Sequence, residues 1–246
     1  HSALCDFILN IKGKGFTGAV GTGEAYGYYG LNLEKMNQDL SESLGFKFFS
    51  VTSQTYPRKQ DYDLICMLAG IGLSLSSMAY TIRLMRSYGE LDERKETTSI
   101  GSSAMPHKNN PIAAESINSI ARLLSSYVQV AWHNASENFL ERTMDDSASR
   151  RTIIPESLLM TEEMLMRMSK IIDSLEPNTK VIQENLRKHR GALKSEYMLA
   201  KLLLSGMTRE GAAYAVKNKD WQAVEDAGIM TKLECTKLWI AGYKNS

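Results

Sequence analysis

An excess of charge of either sign is absent from this sequence: 29 Lys and Arg stand against 28 Asp and Glu, a formal net charge of +1 over 246 residues. So balanced a chain has no broad field to hold nucleic acid or an anionic membrane surface, and any anionic ligand must be gripped by local charges. Cysteine is scarce. Cys5, Cys66 and Cys235 are odd in number and widely spaced, with neither a CxxC pair nor a secreted disulfide framework, so a reducing cytoplasm is the simplest expectation. No apolar run long enough to span a bilayer is expected, and no charged-then-apolar leader opens the chain. The first residue is His1 and not Met, from which a preceding segment is expected to have been removed or left out. No run of useful length alternates with the period of a strand, which leaves little room for a sheet.

Helical periodicity is what the chain does have. With 43% apolar residues it can bury a sizeable core, as one large domain or as one large and one small. Ser2 to Ile11 reads as the end of a helix, and the five glycines between Lys12 and Gly23 break any regular element. A helix is expected from about Leu31 to Gly45, then an irregular or extended stretch closed by Pro57. From Asp61 to about Tyr88, Leu64, Leu68, Ile71, Leu75, Met78, Ile82 and Met85 recur at spacings of three and four, the inward face of one long helix. Pro111 suits the first position of a second, with Asn110 as cap and Ile117, Ile120, Leu124, Tyr127 and Ala131 inward. A third runs from Ile154 to Leu175, with six of its methionines and leucines inward. Beyond it the helices shorten, broken at Gly191, Gly206 and Gly228. The expected fold is all-α, a bundle of long helices over 1–175 followed by a small helical domain over 176–246.

The most informative segment is Gly101-Ser102-Ser103-Ala104-Met105-Pro106-His107-Lys108-Asn109-Asn110-Pro111, a flexible Gly/Ser loop feeding the N-terminus of a long helix. Free backbone N–H groups and the positive end of the helix dipole favour an anion there, and Lys108 adds a full charge. The string resembles the GSSxMPxKxNP signature of the fumarase/aspartase superfamily at every fixed position, and Glu115 follows at the expected distance. The resemblance implies an anti elimination that takes a proton from the carbon beside a carboxylate and expels an amine from its neighbour, releasing fumarate. It makes Ser102 the base, its hydroxyl made more acidic by loop amides and Lys108. Lys108 and Asn110 would hold the succinyl carboxylates. Glu115 would orient a histidine handling the proton of the leaving group, and that histidine has no counterpart here. His1, His107, His133 and His189 do not align with it, so no general acid is assigned and the 246 residues by themselves are expected to be inactive.

A second motif chooses within the superfamily. Glu141-Arg142-Thr143-Met144-Asp145-Asp146-Ser147-Ala148-Ser149-Arg150-Arg151 is similar to the ERTLDDSANRR stretch of adenylosuccinate lyases, which binds the nucleotide phosphate. Ser147 and Arg151 lie four apart, on one face of a helix, and Arg142 can approach from the turn before. The residues alone are also compatible with a solvated cluster paired internally through Glu141, Asp145 and Asp146. Ser53-Gln54-Thr55-Tyr56-Pro57-Arg58 looks like the QTYSR segment of the same lyases, which gives Gln54 a hydrogen bond to the succinyl group. Ser195-Glu196 and Gly206-Met207-Thr208-Arg209-Glu210 resemble their small C-terminal domain. The chain is therefore identified as a member of the adenylosuccinate lyase family. That implies action on adenylosuccinate and its imidazole-carboxamide analogue in purine biosynthesis, no metal or organic cofactor, and a homotetramer whose active sites are shared between subunits. One departure bears on substrate identity: Asn109 stands where adenylosuccinate lyases usually carry Arg. Another fumarate-releasing lyase, or a non-catalytic scaffold descended from one, remains the alternative.

Overall fold

The computed structural model describes residues 2–93, 110–139 and 142–218. Ser102, Lys108, Glu141, Cys235 and Gly228 lie outside the described residues. Along the chain the elements are α1 (Ser2–Asn10), β1 (Lys12–Gly13), α2 (Glu24–Tyr28), α3 (Leu33–Leu44), β2 (Lys47–Phe48), α4 (Lys59–Ser87) and β3 (Leu91–Glu93). They continue as α5 (Ile112–Ser136), α6 (Asp146–Ser174), β4 (Leu175–Pro177), α7 (Thr179–Lys188), α8 (Arg190–Leu204) and α9 (Arg209–Lys217). Contacts divide the chain into two compact units after Asn178.

The first unit is built on α4, α5 and α6, which pack on one another. With 29 residues each, α4 and α6 are about 43 Å long at the α-helical rise. The core of the bundle holds Ala79 and Ile82 of α4, Ala114, Ile117 and Leu124 of α5, and Met164, Met168 and Ile171 of α6. A second cluster joins Ile65, Ala131 and Ile153, one residue from each helix. Gly72 marks the closest approach, since a Cβ there would stand 3.0 Å from Leu124 and 3.1 Å from Met164.

The inward faces differ from those expected. On α4 the buried positions are Asp61, Ile65, Leu68, Gly72, Ala79 and Ile82; Met78 is 41% exposed, and Leu64, Ile71, Leu75 and Met85 are half-buried. The same holds on α6, where Leu158, Leu159, Leu165 and Met166 are exposed. Both helices carry apolar residues around most of their circumference, so a spacing of three and four fits more than one face. In α4 no charge falls between Leu64 and Ile82, and by length and composition the helix could cross a bilayer, with mean hydropathy 1.6 over the relevant window and 28% of it buried. The expectation that no such stretch exists is thereby corrected: Ser and Gly residues dilute its apolar look without adding charge.

Two boundaries also move. Pro111 is the cap of α5, with no side-chain hydrogen bond to the helix, and Asn110 contributes only its carbonyl, accepting from Ile112 N–H at 2.9 Å. α6 starts at Asp146, two turns before the expected Ile154, and runs through Pro155. Proline has no N–H to offer the carbonyl four residues back, that of Arg151.

The strands are too short for any sequence periodicity. β3 and β4 pair antiparallel, Asp92 opposite Glu176, and Asn178 N–H donates to Glu90 O at 2.9 Å, which ties the exit of α4 to the exit of α6. β1 and β2 pair in parallel, Gly13 opposite Phe48.

In the second unit α8 packs on α7 and on α9. α8 begins at Arg190 after His189 and passes through Gly191 without a break, contrary to expectation. A single helical Gly costs only about 1 kcal/mol relative to Ala, which tertiary packing readily outweighs. At Gly206, whose φ of 92° lies in the left-handed region, the chain does turn, and Thr208 then caps α9 by accepting from Gly211 N–H at 3.2 Å.

Candidate active site

The described residues singled out in the sequence fall at two ends of the bundle. At one end, the segment carrying Gln54 and Tyr56 leads into α4, and the segment carrying Arg142 leads into α6. Arg58 and Asp146 are 5% and 4% exposed, and Arg58 Nε donates to Asp146 Oδ2 at 2.6 Å. One helical turn on, Arg150 Nε donates to Asp61 Oδ2 at 2.6 Å and lies 4.0 Å from Asp146 Oδ2. Arg142 Nη2 stands 3.9 Å from Asp146 Oδ1. Ser147 is half-buried and Arg151 exposed on the first turns of α6, and Gln54 is exposed.

Tyr56 ties this cluster together. Its hydroxyl donates to Asp61 Oδ1 at 2.6 Å and accepts from Arg150 Nη2 at 2.8 Å, while its ring stacks on Phe49 with planes 3° apart. The Arg58 and Arg150 guanidiniums lie 5.1 and 5.7 Å from its ring centre, within cation–π range. Burial, reinforced by the hydrogen bond to Asp61, raises the phenol above its ordinary pKa against the opposing pull of both arginines. For Arg150, burial works against the charge, but the Asp61 hydrogen bond and charge, with Tyr56 and Asp146, outweigh it and raise the guanidinium above the usual arginine value.

At the other end α4 closes and α5 opens. Arg83 Nη1 donates to Oδ1 of buried Asn118 at 2.8 Å, and Asn118 Nδ2 donates to the carbonyl and hydroxyl oxygens of Ser76, both at 2.9 Å. Glu115, on the first turn of α5, has Oε1 3.6 Å from Arg83 Nη2, with 43% of its side chain exposed. Asn110 is exposed just before this turn, beside a cleft of about 430 Å³ lined by Arg83, Arg86, Asp92, Pro111 and Asn178 among others. Between Asp61 and Arg83 the rise of α4 amounts to about 33 Å. Gln54, Arg142, Ser147 and Arg151 thus gather at one end and Asn110 and Glu115 at the other, too far apart for one small molecule to touch both within a single chain.

The histidines stand apart from both clusters where they are described: His133 Nδ1 lies 2.7 Å from Glu137 Oε1 on exposed surface, and His189 is exposed before α8. Among the described residues no His, Cys, Asp and Glu side chains gather as a metal site would need. Reading the sequence did not single out Arg58, Asp61 or Arg150 as site residues, and named Asp146 only as one charge in a cluster. The signal was there: Asp146, Arg150, Ile153, Ser157, Thr161, Met164, Met168 and Ile171 follow one another at three and four, a helix face whose apolar end prolongs into charge.

A protein-family profile described as lyase matches residues 8–124. Adenylosuccinate lyase of Schistosoma mansoni is 36% identical over 201 residues, 80% of this chain and 42% of that protein. That of Schizosaccharomyces pombe is 34% identical over 218 residues, 85% and 44%. The chain belongs to the lyase family. It spans less than half the length of these curated relatives. Among solved structures, a fumarate lyase from Mesorhizobium sp. BNC1 superposes with a TM-score of 0.71 at 21% identity, over 92% of this chain and 49% of that one. A 3-carboxy-cis,cis-muconate lactonizing enzyme from Pseudomonas putida gives 0.72 at 20% identity, over 91% and 49%. At that identity these two speak for the fold, and the lyase bundle of long helices is the fold of this family member.

Proposed function

We propose that the protein carrying this chain is an adenylosuccinate lyase: it cleaves the C–N bond of adenylosuccinate, and of its imidazole-carboxamide analogue, to fumarate and the purine nucleotide. The observation that carries this reading is the identity of 30–36% to adenylosuccinate lyases across animals, fungi and archaea, joined to a phosphate-type motif at the head of α6. The chemistry follows from what each group can do. Ser102 takes the proton from the carbon beside the carboxylate, and the electron pair left behind spreads into that carboxylate as a dianion. Lys108 and Asn110, which precede α5 in the sequence, offset the developing charge. Collapse of the dianion breaks the C–N bond, and the amine leaves with a proton from a group not assigned among the histidines of this chain. Gln54 holds the succinyl end, Arg142, Ser147 and Arg151 hold the phosphate, and no metal or organic cofactor is called for.

A homotetramer in the cytoplasm belongs to the same proposal. It is supported by the separation of the two half-sites along α4, which a second copy placed antiparallel would close. Exposed Leu73, Tyr80, Leu84, Leu159 and Trp132 on the three long helices offer the apolar surface such an assembly would cover. Asn109 favours one second reading, a lyase of the same reaction type whose leaving amine is not a purine nucleotide.

The deciding experiment is fumarate release from adenylosuccinate by the full-length protein, beside its Ser102→Ala variant. Release by the parent and a loss of about a thousandfold in the variant is the expected result. Silence on adenylosuccinate with turnover of another fumarate-yielding amine would hand the case to the second reading.

A further inference from the structure

We infer that Asp146 is a positioning residue for Arg142, and that Arg58 makes it one by occupying the carboxylate oxygen through which Asp146 could otherwise grip Arg142 bidentately. The inference rests on the proposed function for the identity of the anion, a phosphate monoester, and on the structure for the device.

At the head of α6 three guanidiniums, buried Arg58 and half-buried Arg142 and Arg150, face two buried carboxylates, Asp61 and Asp146, so one positive charge is left over. Two of the three donate to a carboxylate. Arg58 Nε donates to Asp146 Oδ2 and Arg150 Nε to Asp61 Oδ2, each at 2.6 Å. Arg142 is the exception. Its Nη2 lies 3.9 Å from Asp146 Oδ1, beyond hydrogen-bond reach, and its Nε is buried with no hydrogen-bond partner. Asp146 Oδ1 is equally buried and equally without one, in a residue 4% exposed.

Such a pair of unmet buried groups is costly and calls for an explanation. A free Asp–Arg pair would close into two parallel hydrogen bonds and occupy two of the guanidinium's donors. Arg58 prevents this, because the oxygen it binds is one of the two such a fork needs, and the Arg58 ring contact with Tyr56 holds Arg58 in place. Asp146 is then left to attract Arg142 across a gap. The attraction limits where Arg142 can sit, while its donors stay available to a ligand that supplies the missing negative charge. Asp146 also lies immediately before Ser147 and in the first turn of α6, so the same anchor sets the serine hydroxyl. The expected consequence is selective: Asp146 governs how well the protein distinguishes a nucleotide from its nucleoside, and has little to do with the rest of the ligand.

The test is titration calorimetry of the full-length protein with AMP and with adenosine, for the parent, Asp146→Asn, Arg142→Gln and the double variant. The parent is expected to prefer AMP by about a hundredfold, and Asp146→Asn to lose about tenfold of that preference with adenosine affinity kept within about twofold. If Asp146 acts through Arg142, adding Asp146→Asn to Arg142→Gln lowers the preference no further. The inference is overturned if Asp146→Asn keeps the parent's preference, if both ligands weaken together, or if the double variant falls below Arg142→Gln. Should Asp146→Asn not fold, Asp146→Glu, which keeps the charge and moves it by one methylene, is expected to lose part of the preference, and full retention would count against the device. Fumarate release by the parent is recorded on the same preparation. A parent silent in that assay but losing AMP preference through Asp146→Asn overturns the proposed lyase reaction and leaves the positioning device standing; an active parent with unchanged preference in the variant does the reverse.

Discussion

The two ends of α4 manage charge in opposite ways. Where α4 begins, buried Arg58, Asp61 and Asp146 and half-buried Arg150 are bonded at 2.6 Å. Where it closes, Arg83 and Glu115 face each other at 3.6 Å with a third or more of each side chain in solvent, and the buried member of that group is a neutral amide, Asn118. A buried ion pair is hard to break, because removing one partner strands the other away from water. A half-exposed pair at that distance is nearly neutral energetically and free to re-form around a ligand. The first end is therefore built as a fixed frame, the second as a place where groups can move.

The largest effect that would sharpen this contrast is on activity. If the two half-sites meet only between copies, a mixture of inactive Glu115→Gln and inactive Arg142→Gln full-length proteins, unfolded and refolded together, should recover up to about a quarter of parental fumarate release by random assortment. No recovery would mean that both ends serve the same site within one chain, and would break the comparison. Next comes stability: Arg58→Met should lower it by about 3–5 kcal/mol in urea titrations because buried Asp146 loses the guanidinium hydrogen-bonded to it. Leu124→Ala, which opens a cavity midway between the ends against Gly72 and Met164, should cost about 2–5 kcal/mol. Glu115→Gln should cost at most about 1 kcal/mol, and a loss as large as that of Arg58→Met would erase the difference between the two ends.

The smallest expected effect concerns pH. The raised phenol of Tyr56 stays protonated in the folded chain at a pH where the unfolded chain has begun to ionise. Its contribution is therefore full below pH 10, the ordinary tyrosine value, and is lost as pH climbs toward and through the raised folded value. The fall in stability above pH 10 should be shallower in Tyr56→Phe than in the parent. Identical slopes would place Tyr56 outside the buried frame.

The three long helices of the first unit were readable because apolar residues recur every three or four positions, whereas α2 and the first two turns of α6 were not. The faces were not. Expected inward positions such as Met78 are exposed, while Gly72 and Ala79, too small to stand out in a hydropathy pattern, sit where α5 and α6 come closest. The candidate site divides in the same way. Arg142, Ser147 and Arg151 could be singled out because they form one local motif, yet Asp61 read only as the start of a helix and Asp146 as one charge in a cluster until their partners were known. Asn118 carried no signal as a site residue at all.

By itself, the sequence determined the family, the long helices and the motif at the head of α6, since each depends on residues within a few turns of one another and helix hydrogen bonds reach only four residues along the chain. Tertiary structure alone decided which charges are buried, for Arg58 and Asp146 meet across 88 residues and Arg150 and Asp61 across 89. It also decided that the two clusters stand a helix length apart, because burial and distance are properties of packed partners and not of neighbours in sequence.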